Sequence, residues 1–124
     1  MKRVLMVDDS PTVVQAAYDE LEELGYLVEV AYNGREAIGY LEQNPNDLPD
    51  LIVMDIEMPK LSGDEATKII RANPAWKHVP VIALTGKSPE SMAEFLSLFN
   101  NYLVKPFGFD QMLALVKEII GDPD

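Results

Sequence analysis

Five polar residues occupy equivalent places in an apolar frame. Asp8 and Asp9 follow VLMV (4–7), Asp55 follows LIVM (51–54), Thr85 follows VIAL (81–84), and Lys105 follows Tyr102 to Val104. Apolar runs of four bounded by turn formers read as strands buried on both faces. A charge inside such a core is costly. A charge where the strand leaves the core is cheap, and it faces whatever binds there. Asp55 is therefore the candidate chemical centre, and Asp8, Asp9, Thr85 and Lys105 are its candidate neighbours.

Three carboxylates in one pocket repel one another unless a hard cation sits among them. Magnesium suits such a set, since it takes oxygen ligands and combines one or two protein carboxylates with a phosphate. A cation, a lysine and a hydroxyl around one carboxylate suit phosphoryl transfer. Asp55 is then the nucleophile that forms an acyl phosphate. The cation and Lys105 offset charge on the phosphoryl oxygens. Each residue alone has a plainer role. Asp8 and Asp9 could favour a helix N-terminus, Thr85 could serve a turn, and Lys105 could be solvated. Their shared placement, each at the carboxyl end of its own strand, favours the common pocket.

The elements needed to gather them are legible. Strands are expected at Val4–Val7, Leu27–Ala31, Leu51–Met54, Val81–Leu84 and Tyr102–Val104. Between them lie helical patterns. Ser10-Pro11 is an N-cap followed by proline at the first helical position. Val14, Ala17, Leu21 and Leu24 then repeat on one face, and Gly25 closes the helix. A second helix follows Asn33-Gly34 with Ala37, Ile38 and Leu41 inward. A third carries Ala66, Ile69 and Ile70 and stops at Asn73-Pro74. A fourth is expected from Ser88-Pro89-Glu90, with Met92, Phe95, Leu96 and Phe99 inward. The fifth buries Phe109, Met112, Leu113, Val116 and Ile119 or Ile120, and Gly121 caps it. Asp122 to Asp124 read as a frayed end. Trp76 is expected to cover a helix end, and His78 to be an exposed loop residue. Alternating strands and helices imply right-handed crossovers and a parallel sheet covered on both faces, an α/β doubly wound domain. Its ligands bind along the carboxyl edge of the sheet.

Composition narrows the function classes. With 124 residues and 48% hydrophobic content, the chain is one globular domain. There is no cysteine, which removes thiol catalysis, zinc thiolates and disulfides and suits a reducing cytoplasm. No apolar run approaches the roughly 20 residues that span a bilayer, and no signal peptide is expected. The net charge of −11 argues against direct nucleic-acid or membrane binding and favours cations or a basic partner surface.

VDDS (7–10), MDIEMPKLSG (54–63), ALTG (83–86) and YLVKPF (102–107) together resemble the receiver domains of two-component response regulators. The resemblance spans essentially the whole chain, and the single-domain chemotaxis regulator is the familiar comparison. It implies a flavodoxin-like fold with sheet order 2-1-3-4-5 and five helices. It implies that Asp55 accepts a phosphoryl group from a histidine kinase phosphohistidine. Asp9 would ligate Mg2+ directly, with Asp8 assisting, Asp55 contributing and the backbone carbonyl of Glu57 completing the protein ligands. Lys105 would pair with Asp55 and the phosphoryl oxygens. Thr85 would move to hydrogen-bond the phosphoryl group, and Tyr102 would swing inward behind it. Lys105-Pro106 matches the family's cis peptide. The output would be a population shift of the face formed by the fourth helix, fifth strand and fifth helix.

Glu57 and Lys87 flank the phosphoryl position. They are expected to pair across the pocket mouth, restrict the hydrolytic water and lengthen the life of the phosphorylated form. The ending Gly121-Asp-Pro-Asp, without an effector domain, is the pattern of a stand-alone regulator. The domain is read as a switch that phosphorylates and dephosphorylates itself, not as a turnover enzyme. The alternative is a Mg2+-dependent phosphohydrolase with an aspartyl nucleophile, which would want that nucleophile after the first strand, a second aspartate two residues on, and a substrate cap. A flavin mononucleotide site fits less well, because Asp8 and Asp9 would repel its phosphate. A static receiver-like interaction module would not need all five residues.

Overall fold

The computed structural model describes residues 1–87, 90, 93 and 96–124. Five parallel strands form one sheet: β1 (Arg3–Val7), β2 (Leu27–Ala31), β3 (Leu51–Asp55), β4 (Val81–Thr85) and β5 (Asn101–Val104), in the order β2-β1-β3-β4-β5. Among the described residues four α-helices pack on it: α1 (Pro11–Leu24), α2 (Gly34–Gln43), α3 (Gly63–Ala72) and α4 (Phe109–Ile120). The helix expected after β4 falls largely on residues 88, 89, 91, 92, 94 and 95, outside the described residues. Of its expected face, Met92 and Phe95 lie there too. Leu96 opens a single 3-10 turn ending at Leu98, and both Leu96 and Phe99 are half-buried.

Strand periodicity decides which way each residue points. Leu5, Val7, Ile52, Met54 and Val81 face α2 and α3 in one core layer, with Ala37, Leu41, Ala66 and Ile70. Val4, Met6, Leu51, Val53, Ile82 and Leu84 face the other layer, with Ala17 and Leu21 of α1 and Met112 and Val116 of α4. β1 and β3 are buried along their whole apolar length because both faces are covered. β1 pairs with β3 so that Val7 lies opposite Met54, and β3 pairs with β4 so that Asp55 lies opposite Leu84. The strands therefore leave the core at one level.

Three sequence expectations are corrected. Leu24 is 40% exposed and Ile69 is 42% exposed, so neither belongs to its helix's buried face. Thr67 is buried in place of Ile69, with its hydroxyl donating to the Gly63 carbonyl at 2.7 Å. Trp76 is buried in the α2–α3 layer, in the core cluster that also holds Val79 and Ile70. The C-terminal residues are not frayed, since the Lys2 N–H donates to the Pro123 carbonyl at 2.7 Å. The Lys2 ammonium donates to the Ile120 carbonyl, and the Tyr26 hydroxyl donates to that of Gly121 at 2.6 Å. His78 is exposed, as expected.

Candidate functional site

Strand parity brings the charged residues together. Asp8 continues the Val4, Met6 side of β1, Asp55 continues the Leu51, Val53 side of β3, and Lys105 follows Leu103, which packs in the same layer. All three therefore leave the sheet on the α1–α4 side. Thr85 continues the Val81, Ala83 side of β4 and emerges on the opposite face. Asp8 and Asp55 are buried, at 0% and 1% exposure, while Asp9 is exposed.

Lys105 is the hinge of the charge arrangement. Its ammonium lies 3.1 Å from Asp55 Oδ1 and 3.4 Å from Asp8 Oδ2. The Ser10 N–H donates to Asp8 Oδ1 at 2.9 Å, so both oxygens of Asp8 are engaged. Ser10 also caps α1 by accepting from the Val13 N–H, which fixes the turn carrying Asp8 and Asp9. The Glu57 N–H donates to Asp55 Oδ1 at 3.3 Å. That leaves Asp55 Oδ2 without a hydrogen bond among the described residues. Among the described residues no buried side-chain oxygen lacks a partner.

The proton affinities follow from this burial. The Asp55 carboxyl is pushed from its ordinary 3.8 up to about 7, first by loss of water and then by the negative charge of Asp8, with Lys105 pulling the other way. Burial pulls the Lys105 ammonium down, but Asp55 and Asp8 outweigh it and hold its pKa above the ordinary value. One ammonium therefore faces an excess of carboxylate. Asp8, Asp9 and Asp55 each bring an oxygen into a group spanning no more than 4.8 Å. The excess negative charge and the oxygen-only donor set fit Mg2+.

The backbone around Asp55 depends on Gly63, the last residue of the MDIEMPKLSG motif. A Cβ there would lie 2.2 Å from the Asp55 carbonyl oxygen and 2.8 Å from the Ile56 Cα. The Gly63 N–H also donates to the Ile56 carbonyl at 2.9 Å. A glycine eight residues after the central aspartate, at the start of a helix, was the available signal. The Lys105-Pro106 bond is cis.

Glu57 and Lys87 do not pair. The Glu57 carboxylate instead accepts from the Thr85 hydroxyl at 3.3 Å and the Gly86 N–H at 3.1 Å, both through Oε1. Lys87 makes no ion pair among the described residues; its backbone N–H donates to Thr85 Oγ1 at 3.0 Å. The donors of the β4 loop are nearer to Glu57 than the flexible ammonium, and an exposed ion pair gains little in competition with them. Tyr102 is half-buried against the small cluster of Ile56 and Ala83, on the Thr85 side of the sheet.

Residues 4–117 match the response regulator receiver domain family. The chain is 32% identical over 126 residues to the DNA-binding dual master transcriptional regulator RpaA of Synechocystis, and covers 51% of that longer protein. The chemotaxis response regulator CheY4 of Vibrio cholerae superimposes with a TM-score of 0.87 at 34% identity, covering 96% of this chain and 98% of that one. TrrA of Thermotoga maritima, solved in complex with Mg2+ and beryllofluoride, gives a TM-score of 0.82 at 37% identity, covering 96% and 99%. Fold, edge-of-sheet carboxylates and sequence thus agree, and the chain belongs to the response regulator receiver domain family.

Proposed function

We propose that this chain, residues 1–124 acting as one receiver, accepts a phosphoryl group on Asp55 from the phosphohistidine of a histidine kinase or phosphotransfer domain. Receiver domains work with such kinases and with output domains; which ones serve here is a matter of the surfaces around the site. In this reading Asp55 Oδ2 attacks phosphorus while the phosphorus–nitrogen bond breaks. The bonding pair stays on the leaving imidazole, and a carboxyl–phosphoryl anhydride forms. Lys105, already 3.1 Å from Asp55 Oδ1, orients the carboxylate and pairs with the phosphoryl oxygens. Asp9, Asp55 and the Glu57 backbone carbonyl, assisted by Asp8, would hold Mg2+, which offsets charge on the carboxylates and phosphoryl oxygens. Thr85 then moves to donate to the phosphoryl group, and Tyr102 turns inward behind it. The face around β5 and α4, with the segment between β4 and β5, shifts in population and controls a partner.

The observation that carries this reading is the buried Asp55 carboxylate, held through Oδ1 by the Lys105 ammonium and grouped within 4.8 Å with oxygens of Asp8 and Asp9. Glu57 and Lys87 are proposed to tune dephosphorylation by controlling the approach of water. The net charge of −11 favours a basic partner over nucleic acid or anionic membrane, and among the described residues no helix is long and apolar enough to cross a membrane. A cytoplasmic switch, not a turnover enzyme, is the reading that combines these features. Incubation with acetyl phosphate and Mg2+ followed by intact mass tests it. One added phosphoryl group, absent in Asp55→Asn, supports it. Continuous release of phosphate from many esters would favour an aspartyl phosphohydrolase instead.

A further inference from the structure

Glu57 touches both halves of the switch. Its backbone N–H donates to Asp55 Oδ1, the carboxylate that would carry the phosphoryl group. Its side chain reaches across to β4 and accepts from Thr85 Oγ1 and the Gly86 N–H. Thr85 is 1% exposed, so its hydroxyl has few alternatives to a protein partner. That hydroxyl also accepts from the Lys87 N–H. A hydroxyl has one proton. While the Thr85 proton lies on Glu57, it cannot be donated toward Asp55.

We infer that Glu57 is a positioning residue that latches Thr85 and the β4 loop in the unphosphorylated arrangement, and that charge arriving on Asp55 opens the latch. This rests on the receiver reading above. The two acceptors compete for one proton, so the bond to Glu57 and the bond to a phosphoryl oxygen exclude each other. A phosphoryl group brings about two negative charges. Those charges repel the Glu57 carboxylate at the moment they offer Thr85 a better acceptor. The latch is therefore strong in the resting state, where a charged acceptor holds two donors, and weakest when Asp55 is modified. Glutamine at the same position would keep an acceptor but lose the charge that drives release. Alanine would lose both.

Methyl-labelled threonine in the full chain reads the latch directly. The Thr85 methyl resonance is followed in Mg2+, with and without beryllofluoride, for the parent, Glu57→Ala, Glu57→Gln and the double variant Asp55→Asn with Glu57→Ala. Glu57→Ala without beryllofluoride should move the resonance part of the way to the parent's saturated position. Loss of two bonds to a charged acceptor should shift the resting equilibrium by about 10-fold or more toward release. Glu57→Gln should move it less. The shift should persist when Asp55 is also replaced, because the latch does not act through the acceptor's charge once Glu57 is gone. If beryllofluoride moves the parent's resonance but Glu57→Ala leaves the resting position unchanged, the latch is wrong and the receiver reading stands. If beryllofluoride moves nothing in the parent and acetyl phosphate adds no mass, both readings fall. A Glu57→Ala protein that does not fold leaves Glu57→Gln to decide in the same two ways.

Discussion

Asp55→Asn should make the protein more stable at neutral pH in the absence of divalent cations. Asp55 is 1% exposed, and burial together with the charge of Asp8 raises its carboxyl from 3.8 to about 7. The folded state therefore holds the proton more tightly than the unfolded chain. The stabilisation from that proton is complete below pH 3.8 and is lost as pH rises toward 7. Above that window the loss approaches about 4 kcal/mol. Asparagine is nearly isosteric, still accepts from the Glu57 N–H and carries no charge. It gives up the 3.1 Å contact with Lys105, but that ammonium keeps Asp8 at 3.4 Å. The pull of Lys105 is already contained in the raised value; with roughly 1–2 kcal/mol subtracted for an amide N–H left without an acceptor in the buried site, the net gain at pH 7.5 is about 2–3 kcal/mol.

Thermal and urea unfolding in chelator, at intervals from pH 4 to 8, would show this. At pH 7.5 the variant should melt about 6–12 °C above the parent, and the difference should fall toward zero near pH 4. Adding Mg2+ should raise the parent by the binding linkage and narrow the gap, because the variant has lost a charged ligand. A variant less stable than the parent at pH 7.5, or a difference flat across the pH range, would refute the placement of the burial cost at Asp55.

Gly63→Ala should cost roughly 3 kcal/mol in a urea titration and reduce phosphoryl uptake, because its Cβ meets the Asp55 backbone, which cannot yield as a side chain can. Arg71→Leu should cost about 2–4 kcal/mol in the same assay, since the guanidinium donates to the carbonyls of Lys77, Val79 and Leu98 and to Asn100 Oδ1. Tyr26→Phe should cost about 1–2 kcal/mol through the lost bond to the Gly121 carbonyl. Burial, then the charge of Asp122, raises the Tyr26 pKa, so its contribution is present below pH 10 and lost above it; the variant's stability should fall less steeply on the alkaline side. Decay of the phosphorylated form, followed by intact mass, should change in Glu57→Ala or Lys87→Ala; unchanged decay in both would remove them from control of the hydrolytic water.

Where the sequence was legible, one periodicity set the geometry. The strand runs and their terminal polar residues needed only period-two alternation and a parallel sheet, which by themselves put Asp8, Asp55 and Lys105 on one edge. Helix faces were less secure at their margins. Leu24 lies ten residues after Val14, and at 100° per residue it has turned about 80° from that line. Ile69 is about 120° from Gly63, whereas Ala66, Thr67 and Ile70 stay within about 60° of it, so a buried threonine displaced an isoleucine. The C-terminal residues misled because their anchors are backbone groups, which no side-chain pattern reveals. Glu57 misled for a related reason. Opposite charge suggested Lys87, but loop geometry offered a hydroxyl and an N–H first.

The hydrogen bonds also separate the two aspartates after β1, which look equivalent in sequence. Asp8 is buried, with one oxygen committed to the Ser10 N–H and the other to Lys105. Each oxygen keeps a further lone pair, but a cation bound there would compete with the Lys105 ammonium and the Ser10 N–H for the same carboxylate charge. Asp9 is exposed and has no such commitment among the described residues. The cheaper arrangement gives Asp9 the direct contact and leaves Asp8 to act through its charge and through Lys105. Replacing Asp9 by asparagine should then weaken Mg2+ binding while leaving the Asp55 carboxyl near its raised value. Replacing Asp8 should lower that value, because the second-largest cause of its elevation is gone. Carboxyl chemical shifts of Asp55 across pH in the two variants separate these roles, and equal responses would show that the two aspartates share one function.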